Sequence, residues 1–429
     1  MIFLVMQLLG LFGTVFTVYF LITCLGGFIK GRRPSIPESA DTRRIAAVIP
    51  ARNEENVVGA LIASLKQQKY PKELFDIYVI PNNCTDDTEA AAAAAGAKIL
   101  RCQSPVSTKG DVLRQAFGQL SGSGQYDTYC VFDADNLAAP DFLHLVNNAR
   151  NAGFAAAQGF RDSKNPFDSW ISGSTSAFYW FMSRIFNESR SRLGLSAHLN
   201  GTGFMVGDEV IRAIGWDTKT LTEDLEFTGL CALHDFRIGF IPEARVYDEQ
   251  PLTFRQSAIQ RRRWTAGSLQ CMRCYSLRLL RKRTPQSIDA GMFFLGNLLN
   301  YVGLLSLPLT GIALAQFLRS EQIETQTLLT LGALAALACW VILSLGAAIL
   351  FRMEKRLCRK SLPTIIGFPL YMLSWMFINL YTSLTPPPSW KAIGHTVSDA
   401  VLPSASDPSE AERPAAQRRD RQPGSGLSR

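Results

Sequence analysis

The sequence predicts an α/β fold in which a doubly wound sheet domain is inserted between transmembrane helices. Three observations predict it. Short strand-like runs alternate with helical patterns between residues 44 and 250, which is typical of a parallel sheet with helices on both faces. Long apolar runs precede and follow that region. The carboxylates of Asp133 and Asp135 directly follow a strand-like run, at the edge of the sheet where such folds bind ligands.

The composition indicates a membrane protein with a folded domain. The chain has 429 residues, of which 47% are hydrophobic and 19% charged, and its formal net charge is +8. Positive charges stand in short runs beside the apolar stretches, as at residues 30–33 and Arg261–Arg263. This placement favours an anionic membrane face and argues against nucleic-acid binding. Nine cysteines without framework spacing indicate reduced thiols.

The N-terminal segment, residues 1–29, is predicted to be a transmembrane helix. Residues 2–28 carry no charge, and the run is long enough to cross a bilayer. A basic linker, residues 30–43, follows directly, so we expect the domain after it to be cytoplasmic. An integral protein of the cell membrane is therefore expected.

The domain at residues 44–250 opens with a strand at 44–52 and a helix for which Asn53 is the expected N-cap. The remaining strands of the first half are predicted at residues 75–81, 98–102 and 129–132. In the next turn, Thr85 or Asp86 is expected to cap an alanine-rich helix. Further on, Glu223 and Asp224 open a helix, where the helix dipole favours carboxylates.

The remainder is predicted to return to the membrane. Residues 251–288 are amphipathic and typical of interfacial helices, and they contain a Gln-x-x-Arg-Trp pattern that ends at Trp264. Three apolar segments occupy residues 289–385, and the prolines at 363 and 369 make residues 362–384 the candidate for a re-entrant or interfacial segment. The tail, residues 386–429, is polar and predicted to be disordered, with Trp390-Lys391 as an interfacial anchor; its side of the membrane stays open.

Two interpretations of the carboxylate pair are open, a metal site and an ordinary turn. Residues i and i+2 at a strand end point to the same side, so Asp133 and Asp135 could hold a divalent cation that also grips phosphate oxygens. Asp-x-Asp is also common in turns. Similarly, Asp224 could be a helix cap, and Gln260, Arg263 and Trp264 could belong to an ordinary interfacial helix.

Taken in order, four patterns resemble the inverting family 2 glycosyltransferases of the GT-A fold, in particular the membrane-embedded synthases of cellulose, hyaluronan and related β-glycans. These are the opening at residues 50–54, Asp133-x-Asp135, Thr222-Glu223-Asp224 and Gln260-x-x-Arg263-Trp264. The resemblance covers residues 44–264 and the arrangement of one span before the domain and several after it. It implies a hexosyltransferase that uses a UDP-sugar.

The resemblance also implies roles for individual residues. Asp135, with Asp133, would bind Mg²⁺ or Mn²⁺, Asp224 would be the general base beside Glu223, and Thr202 would lie near the acceptor. The other implied contacts are Pro50, Arg52, Glu54, Asn82, Lys109 and Asp133 for the nucleotide-sugar, and Gln260, Arg263, Trp264 and Gly201 for the diphosphate and acceptor. Many members have an aspartate where this chain has Asn82, whose amide can bind the base or ribose without a charge.

Three functions remain open. The first is a processive synthase that extends a β-linked polysaccharide, supported by the apolar runs and the aromatic-rich segment at 170–186. The second is the transfer of one sugar to a lipid acceptor, and the third is a non-catalytic membrane scaffold. The sugar, the linkage, and any homo-oligomer or export partner are not identified by the sequence.

Overall fold

The computed structural model describes residues 2–29, 31–321 and 325–387. One eight-stranded sheet forms the middle of the chain, in the order β3-β2-β1-β4-β7-β6-β8-β5. Its strands are β1 (Ile45–Ala51), β2 (Phe75–Pro81), β3 (Lys98–Ile99), β4 (Thr128–Val131), β5 (Leu137–Ala138), β6 (Ala156–Ser163), β7 (Phe204–Gly207) and β8 (Ile238–Asp248).

The sheet is mixed, whereas the alternation of strands and helices predicted a parallel one. β1 pairs in parallel with β2 and β4, as expected. β7, however, runs antiparallel to both β4 and β6, and β5 runs antiparallel to β8. Because Val131 at the end of β4 pairs with Phe204 at the start of β7, the turn before β7 lies beside the carboxylates that follow β4. The α/β class is confirmed, and the reversed strand brings two loops together.

Helices cover both faces of the sheet and continue beyond it. Those of the middle region are α2 (Val58–Lys66), α3 (Thr88–Ala94), α4 (Lys109–Leu120), α5 (Phe142–Asn151), α6 (Trp170–Phe181), α7 (Glu188–Arg192), α8 (Asp208–Ile214) and α9 (Glu223–Leu233). α1 (Ile2–Ile29) precedes them, and α10 (Phe254–Lys282), α11 (Pro285–Leu295), α12 (Leu298–Glu321), α13 (Thr325–Met353) and α14 (Leu362–Leu384) follow.

Strand β1 shows why the sheet needs cover on both faces. Ala46 and Val48 belong to one buried cluster, and Ile45, Ala47 and Ile49 belong to the other. Successive side chains of a strand point to opposite faces of the sheet, so a continuous apolar run places buried side chains on both faces. The apolar run that predicted this strand is therefore explained by two cores.

Of two expected helix caps, one is wrong and the other is displaced by one residue. Asn53 has a φ of +59°, and its side chain accepts a hydrogen bond from the backbone N–H of Thr85, so α2 begins only at Val58. Asparagine tolerates this left-handed conformation because its short side chain bonds locally. The residue before α3 is Asp87, one position after the expected Asp86, but the Asp86 carboxylate accepts from the backbone N–H of Thr88, the first residue of α3, at 3.2 Å.

The segment predicted to be helical from Trp170 contains a wide turn. A π-helical stretch, Met182–Asn187, joins α6 to α7. The amphipathic segment after the sheet is a single long helix, α10, and Thr253 caps it by accepting from the backbone N–H of Gln256.

Three described helical segments are long and apolar enough to cross a membrane: Leu4–Ile29, Leu329–Met353 and Arg359–Leu384. A fourth crossing is formed if α11 and α12 act together, because Pro285–Leu295 and Leu298–Ile312 meet at a bend of 42°. Residues 362–384, the expected re-entrant or interfacial segment, form the continuous helix α14, whose first proline lies in the opening turn, where proline is tolerated. Its re-entrant or interfacial placement stays a prediction. The predicted tail anchor lies outside the described residues, as do residues 388–429.

Candidate functional site

A cavity of about 560 Å³ opens at the carboxyl ends of β1, β2 and β4. Thirteen of the fourteen predicted site residues line it, although they come from distant parts of the chain. They are Pro50, Arg52, Glu54, Asn82, Lys109, Asp133, Asp135, Gly201, Glu223, Asp224, Gln260, Arg263 and Trp264. The sheet edge, the first turn of α9 and the middle of α10 therefore converge on one space.

Thr202 is the predicted residue that does not line the cavity. Its side chain is fully buried behind the wall, where its hydroxyl oxygen accepts from the backbone N–H of Asp133 at 3.0 Å and its O–H donates to Asn136. Thr202 thus fastens the turn before β7 to the loop after β4.

Lys109 joins the two carboxylate groups of the cavity. It is the first residue of α4, and its Nζ donates to Asp133 at 2.5 Å and to the carbonyl of Gly201 at 2.6 Å. The same Nζ lies 3.7 Å from Glu223. Burial acts to lower the pKa of Lys109, but Asp133 and Glu223 outweigh it and raise that pKa above its usual value. Lys109 is therefore a permanent cation in the cavity wall.

Asp133 is held as an anion. Burial acts to raise its pKa, but the cations of Lys109 and Arg161 outweigh burial, and the pKa of Asp133 falls below its ordinary value. The carboxylate consequently stays ionised across the physiological pH range.

Asn136 holds the second carboxylate of the pair. Its Nδ2 donates to Asp135 at 3.2 Å and to Asp248 at 2.9 Å, while its Oδ1 accepts from the backbone N–H of Asp133 at 3.1 Å. Asp135 itself is only 6% exposed. The loop after β4 is therefore fixed by hydrogen bonds, so both carboxylates have defined positions.

The described residues contain no group of three or more His, Cys, Asp or Glu side chains that could hold a metal ion by themselves. The site nevertheless fits a cation that is coordinated partly by the protein and partly by a bound substrate. Mg²⁺ is usually bound through one or two carboxylates and through phosphate oxygens, and Asp133 and Asp135 supply two hard oxygen donors.

The pKa of Asp224 is displaced in the opposite direction to that of Asp133. It lies in the first turn of α9, and the backbone N–H of Leu225 donates to its Oδ1 at 2.8 Å. Burial first, and then the neighbouring charge of Glu223, raise the pKa of Asp224 to about 6. Gly201 allows this carboxylate to approach: a Cβ at Gly201 would lie 3.3 Å from Asp224 Oδ2, and its φ of +83° is also one that glycine adopts readily. Asp224 can thus exchange a proton near neutral pH.

Aromatic rings form the wall of the cavity on the side of α10 and α14. Trp264 of α10 stacks on Phe178 of α6 and on Trp375 of α14, with ring centroids 6.3 Å and 6.1 Å away and interplanar angles of 20° and 22°. Met372 on α14 and Asn297 beside the α11–α12 bend also line the cavity. The cavity therefore extends from the sheet edge to helices that are candidates for membrane spans.

Sequence reasoning missed a buried ion pair in this wall. Arg161 donates through Nε to Asp248 at 2.9 Å and through Nη1 to the carbonyl of Asn200 at 2.5 Å, and its guanidinium lies 3.8 Å from the centroid of the Tyr179 ring. The only signal in the sequence is a charged residue at the end of a strand-like run, Arg161 after Phe160. Its partner is 87 residues away, so no local pattern could identify the pair.

Comparisons with known proteins agree with this arrangement. A family model described as "Glycosyltransferase like family 2" matches residues 42–267, which is more than half of the chain. A probable glycosyltransferase of Bacillus subtilis is 29% identical over 240 residues, covering 52% of this chain and 55% of that protein. A β-monoglucosyldiacylglycerol synthase of a Nostoc species is 29% identical over 266 residues, covering 58% of this chain and 55% of that protein. The chain spans about half the length of the first curated relatives that it matches.

Two further relatives are matched over more of their length. An N-acetylglucosaminyltransferase of Rhizobium meliloti is 24% identical over 327 residues, covering 71% of this chain and 74% of that protein. The solved structure of a mannosyltransferase from Pyrobaculum calidifontis, in complex with GDP-Man and Mn²⁺, has a TM-score of 0.60 at 16% identity and covers 89% of this chain and 99% of its own. This structural similarity concerns the fold, which is that of the GT-A glycosyltransferases.

Proposed function

The chain belongs to glycosyltransferase family 2 and is a transferase enzyme. We propose that it moves a sugar from a UDP-sugar to a hydroxyl group at the membrane, with inversion at the anomeric carbon. One observation supports this most strongly. A single cavity contains the paired carboxylates of Asp133 and Asp135, a carboxyl with a pKa of about 6, and side chains from candidate membrane spans.

The sheet edge would bind the donor. Pro50, Arg52, Glu54 and Asn82 line the part of the cavity at the ends of β1 and β2, where we place the nucleoside. Lys109 would meet the negative charge of the diphosphate, because its Nζ is buried and already lies among carboxylates that hold it protonated.

Asp135 and Asp133 would hold a divalent cation, Mg²⁺ or Mn²⁺. When bound, such a cation offsets the negative charge that develops on the departing diphosphate. The carboxylate geometry is prepared by Asn136, which contacts both members of the pair.

Asp224 would act as the general base for one in-line displacement. Its carboxylate accepts the proton of the acceptor hydroxyl as that oxygen bonds to the anomeric carbon, and the bond from that carbon to the diphosphate breaks on the opposite side. The proton remains on Asp224, and the configuration at the anomeric carbon inverts. A pKa of about 6 suits this role, since the group is largely ionised at neutral pH yet basic enough to take the proton.

Glu223, Gln260 and Arg263 would complete the site. Glu223 adds negative charge beside the base and raises its pKa. Gln260 and Arg263 lie on the same side of α10 as Trp264, where they can contact the diphosphate and the acceptor.

The acceptor we propose is a growing β-linked glycan. Its support is the aromatic wall of Trp264, Phe178 and Trp375, because flat apolar rings stack on sugar faces. The second candidate is a single transfer to a lipid. It is favoured by the cavity reaching Asn297 and Asn300 at the α11–α12 bend, and by relatives that are named β-monoglucosyldiacylglycerol synthases.

We place the enzyme in the cell membrane with its sheet domain in the cytoplasm. The three candidate spans support the membrane location. The orientation rests on the basic residues Arg32 and Arg33 directly after α1, because cytoplasmic flanks are rich in positive charge.

The experiment is a donor screen with the purified full-length chain in lipid nanodiscs. UDP-sugars and GDP-sugars are compared with Mg²⁺, with Mn²⁺ and with a chelator, and the products are separated by size. We expect turnover with a UDP-sugar that stops on chelation and gives a polymer. Single-sugar lipid products would favour the second candidate. Turnover with GDP-sugars only, or the absence of UDP binding, would contradict the proposed donor.

A further inference from the structure

The turn that leads into the proposed base is not capped by its own N-cap residue. Thr222 occupies the N-cap position of α9, but its side chain makes no capping hydrogen bond, and its hydroxyl oxygen lies 3.7 Å from Cys271 Sγ on α10. A threonine at this position usually accepts a hydrogen bond from a backbone N–H of the first turn. The start of α9, which carries Glu223 and Asp224, therefore depends on other contacts for its position.

Glu226 supplies the first of these contacts. Its side chain is fully buried and turns back on the loop before α9: Oε2 accepts from the backbone N–H of Lys219 at 2.8 Å and from that of Thr220 at 2.6 Å. Oε1 accepts from the hydroxyl group of Tyr275 at 2.5 Å. Three donors thus pair a carboxylate whose burial would be unfavourable without them. Through Glu226, the hydroxyl of Tyr275 on α10 is connected to the loop.

Helix α10 also holds this loop directly. Gln270 Oε1 accepts from the backbone N–H of the residue before Thr222 at 2.9 Å. Gly267 allows the two segments to approach closely, because a Cβ at this position would lie 2.7 Å from the backbone nitrogen of Thr222. At the far end of α9, Lys282 donates to the carbonyl of Leu233 at 2.6 Å. Helix α9 is consequently fixed to α10 at both ends.

The side chains of Glu226, Gln270 and Tyr275, which we call the α9 clamp, lie outside the cavity wall. Helix α10 nevertheless places Trp264 in that wall, and α9 places Asp224 there. Because the clamp joins the two helices, it fixes the position of Asp224 relative to the α10 side of the cavity. It does so without lining the space in which a substrate would bind.

We propose that Tyr275 is a positioning residue for the reaction: by holding Glu226, it keeps the start of α9 in place and Asp224 within reach of the acceptor hydroxyl. The inference rests on the proposed glycosyl transfer and adds to it a residue that does not touch the reacting atoms. A general base must lie within hydrogen-bond distance of the proton that it accepts. A small displacement of α9 therefore lowers the rate of the chemical step more than it weakens donor binding.

The test removes the hydroxyl and keeps the ring, in the variant Tyr275→Phe. In the full-length enzyme in nanodiscs, kcat should fall about tenfold, while the donor KM and the affinity for UDP with Mn²⁺ stay within about twofold. Tyr126→Phe is the matched control, because Tyr126 also donates to a carboxylate, that of Asp76, and neither residue lines the cavity. An unchanged kcat in Tyr275→Phe, or an equal loss in both variants, would overturn the inference.

Variants of Glu226 test whether the effect of Tyr275 passes through this carboxylate. Glu226→Gln keeps an oxygen that can accept from the loop, so it should retain more of kcat than Glu226→Ala. Adding Tyr275→Phe to Glu226→Ala should cause no further loss of kcat, because the hydroxyl then has no carboxylate to hold. Losses that add in the double variant would show that Tyr275 acts by another route and would contradict the inference.

Hydrogen exchange separates this inference from the proposed reaction. The backbone N–H groups of Lys219 and Thr220 are bonded to Glu226, so the peptide that contains them should exchange faster in Tyr275→Phe than in the wild type. If this difference is found but the wild type transfers no sugar, the proposed function fails and the link from Tyr275 to the loop stands. If both proteins transfer sugar at the same rate, the positioning role fails and the proposed function stands.

Discussion

At the scale of single residues, the cavity is defined by two aspartates with opposite pKa displacements. Asp133 lies beside Lys109 and has a lowered pKa, whereas burial and Glu223 raise the pKa of Asp224 to about 6. Groups whose environments push their pKa values apart are suited to different tasks. Asp133 is thereby kept as a fixed anion, and Asp224 as a group that can take up a proton.

The pH dependence of the reaction should follow Asp224. Its protonated form cannot accept a proton, so kcat/KM should fall as the pH drops through about 6 and be maintained above it. Initial rates from about pH 4.5 to 8, at saturating metal, measure this profile.

Glu223→Gln tests the cause of the raised pKa. Removing the neighbouring negative charge should lower the pKa of Asp224 and move the acid limb of the profile to lower pH. An acid limb that stays in place or moves to higher pH would show that Glu223 does not raise the pKa of Asp224.

The metal prediction concerns Asp135. Asp135→Asn should weaken Mn²⁺ binding in the presence of UDP by more than about tenfold, since it removes a carboxylate ligand. Electron paramagnetic resonance of free Mn²⁺ measures this without turnover. Asp217→Asn is the control, because Asp217 is an exposed side chain that does not line the cavity. Unchanged Mn²⁺ affinity in Asp135→Asn would refute the assignment.

At the scale of elements, a buried ion pair joins the N-terminal helix to the rest of the protein. Arg190 of α7 is fully buried and donates to Asp289 of α11 at 3.0 Å and to Thr23 of α1 at 3.2 Å. Tyr19 of α1 also donates to Asp289. Three helices that are distant in sequence therefore meet at one carboxylate.

Replacing one partner of this pair should be costly. Asp289→Leu leaves the Arg190 cation buried without its carboxylate and should reduce the free energy of unfolding by about 3–5 kcal/mol. Arg190→Met combined with Asp289→Leu removes both charges and should be less destabilised than Asp289→Leu alone. Denaturant unfolding in detergent measures both. If the double variant were the less stable one, the ion pair would not be the main interaction here.

Element types were easier to predict than their ends. The apolar run of β1 and the amphipathic pattern of α10 predicted their elements, because burial imposes those periodicities. The left-handed conformation of Asn53 and the π-helical stretch before α7 were not foreseen. Both depend on contacts made in the folded chain, such as the bond from Thr85 to Asn53, which a local pattern does not contain.

At the scale of the whole molecule, one cavity is lined by residues of the sheet domain and of helices that are candidates for membrane spans. The motif residues that line it were identified from the sequence through their order and resemblance to a family. Arg161 and Trp375 were not, since the first depends on a partner in another strand and the second on the packing of α14 against α10. The reversed strand β7 was also missed, although it places Gly201 beside Asp224.

The orientation of the molecule can be tested with a native cysteine. Cys274 is exposed on α10, on the side of the membrane that we assign to the cytoplasm. A membrane-impermeant maleimide should label it in inside-out vesicles and not in sealed right-side-out vesicles. Cys274→Ser identifies the labelled position. Labelling of Cys274 from the outside would reverse the proposed topology.

The central claim is a single displacement with Asp224 as base, and proton NMR of the first product tests it most directly. Starting from an α-linked UDP-sugar, the wild type should give a product whose anomeric proton shows the β configuration. Asp224→Asn should still bind UDP but lose about 10²- to 10⁴-fold in kcat. An α-configured product, or turnover by Asp224→Asn at the wild-type rate, would contradict the account.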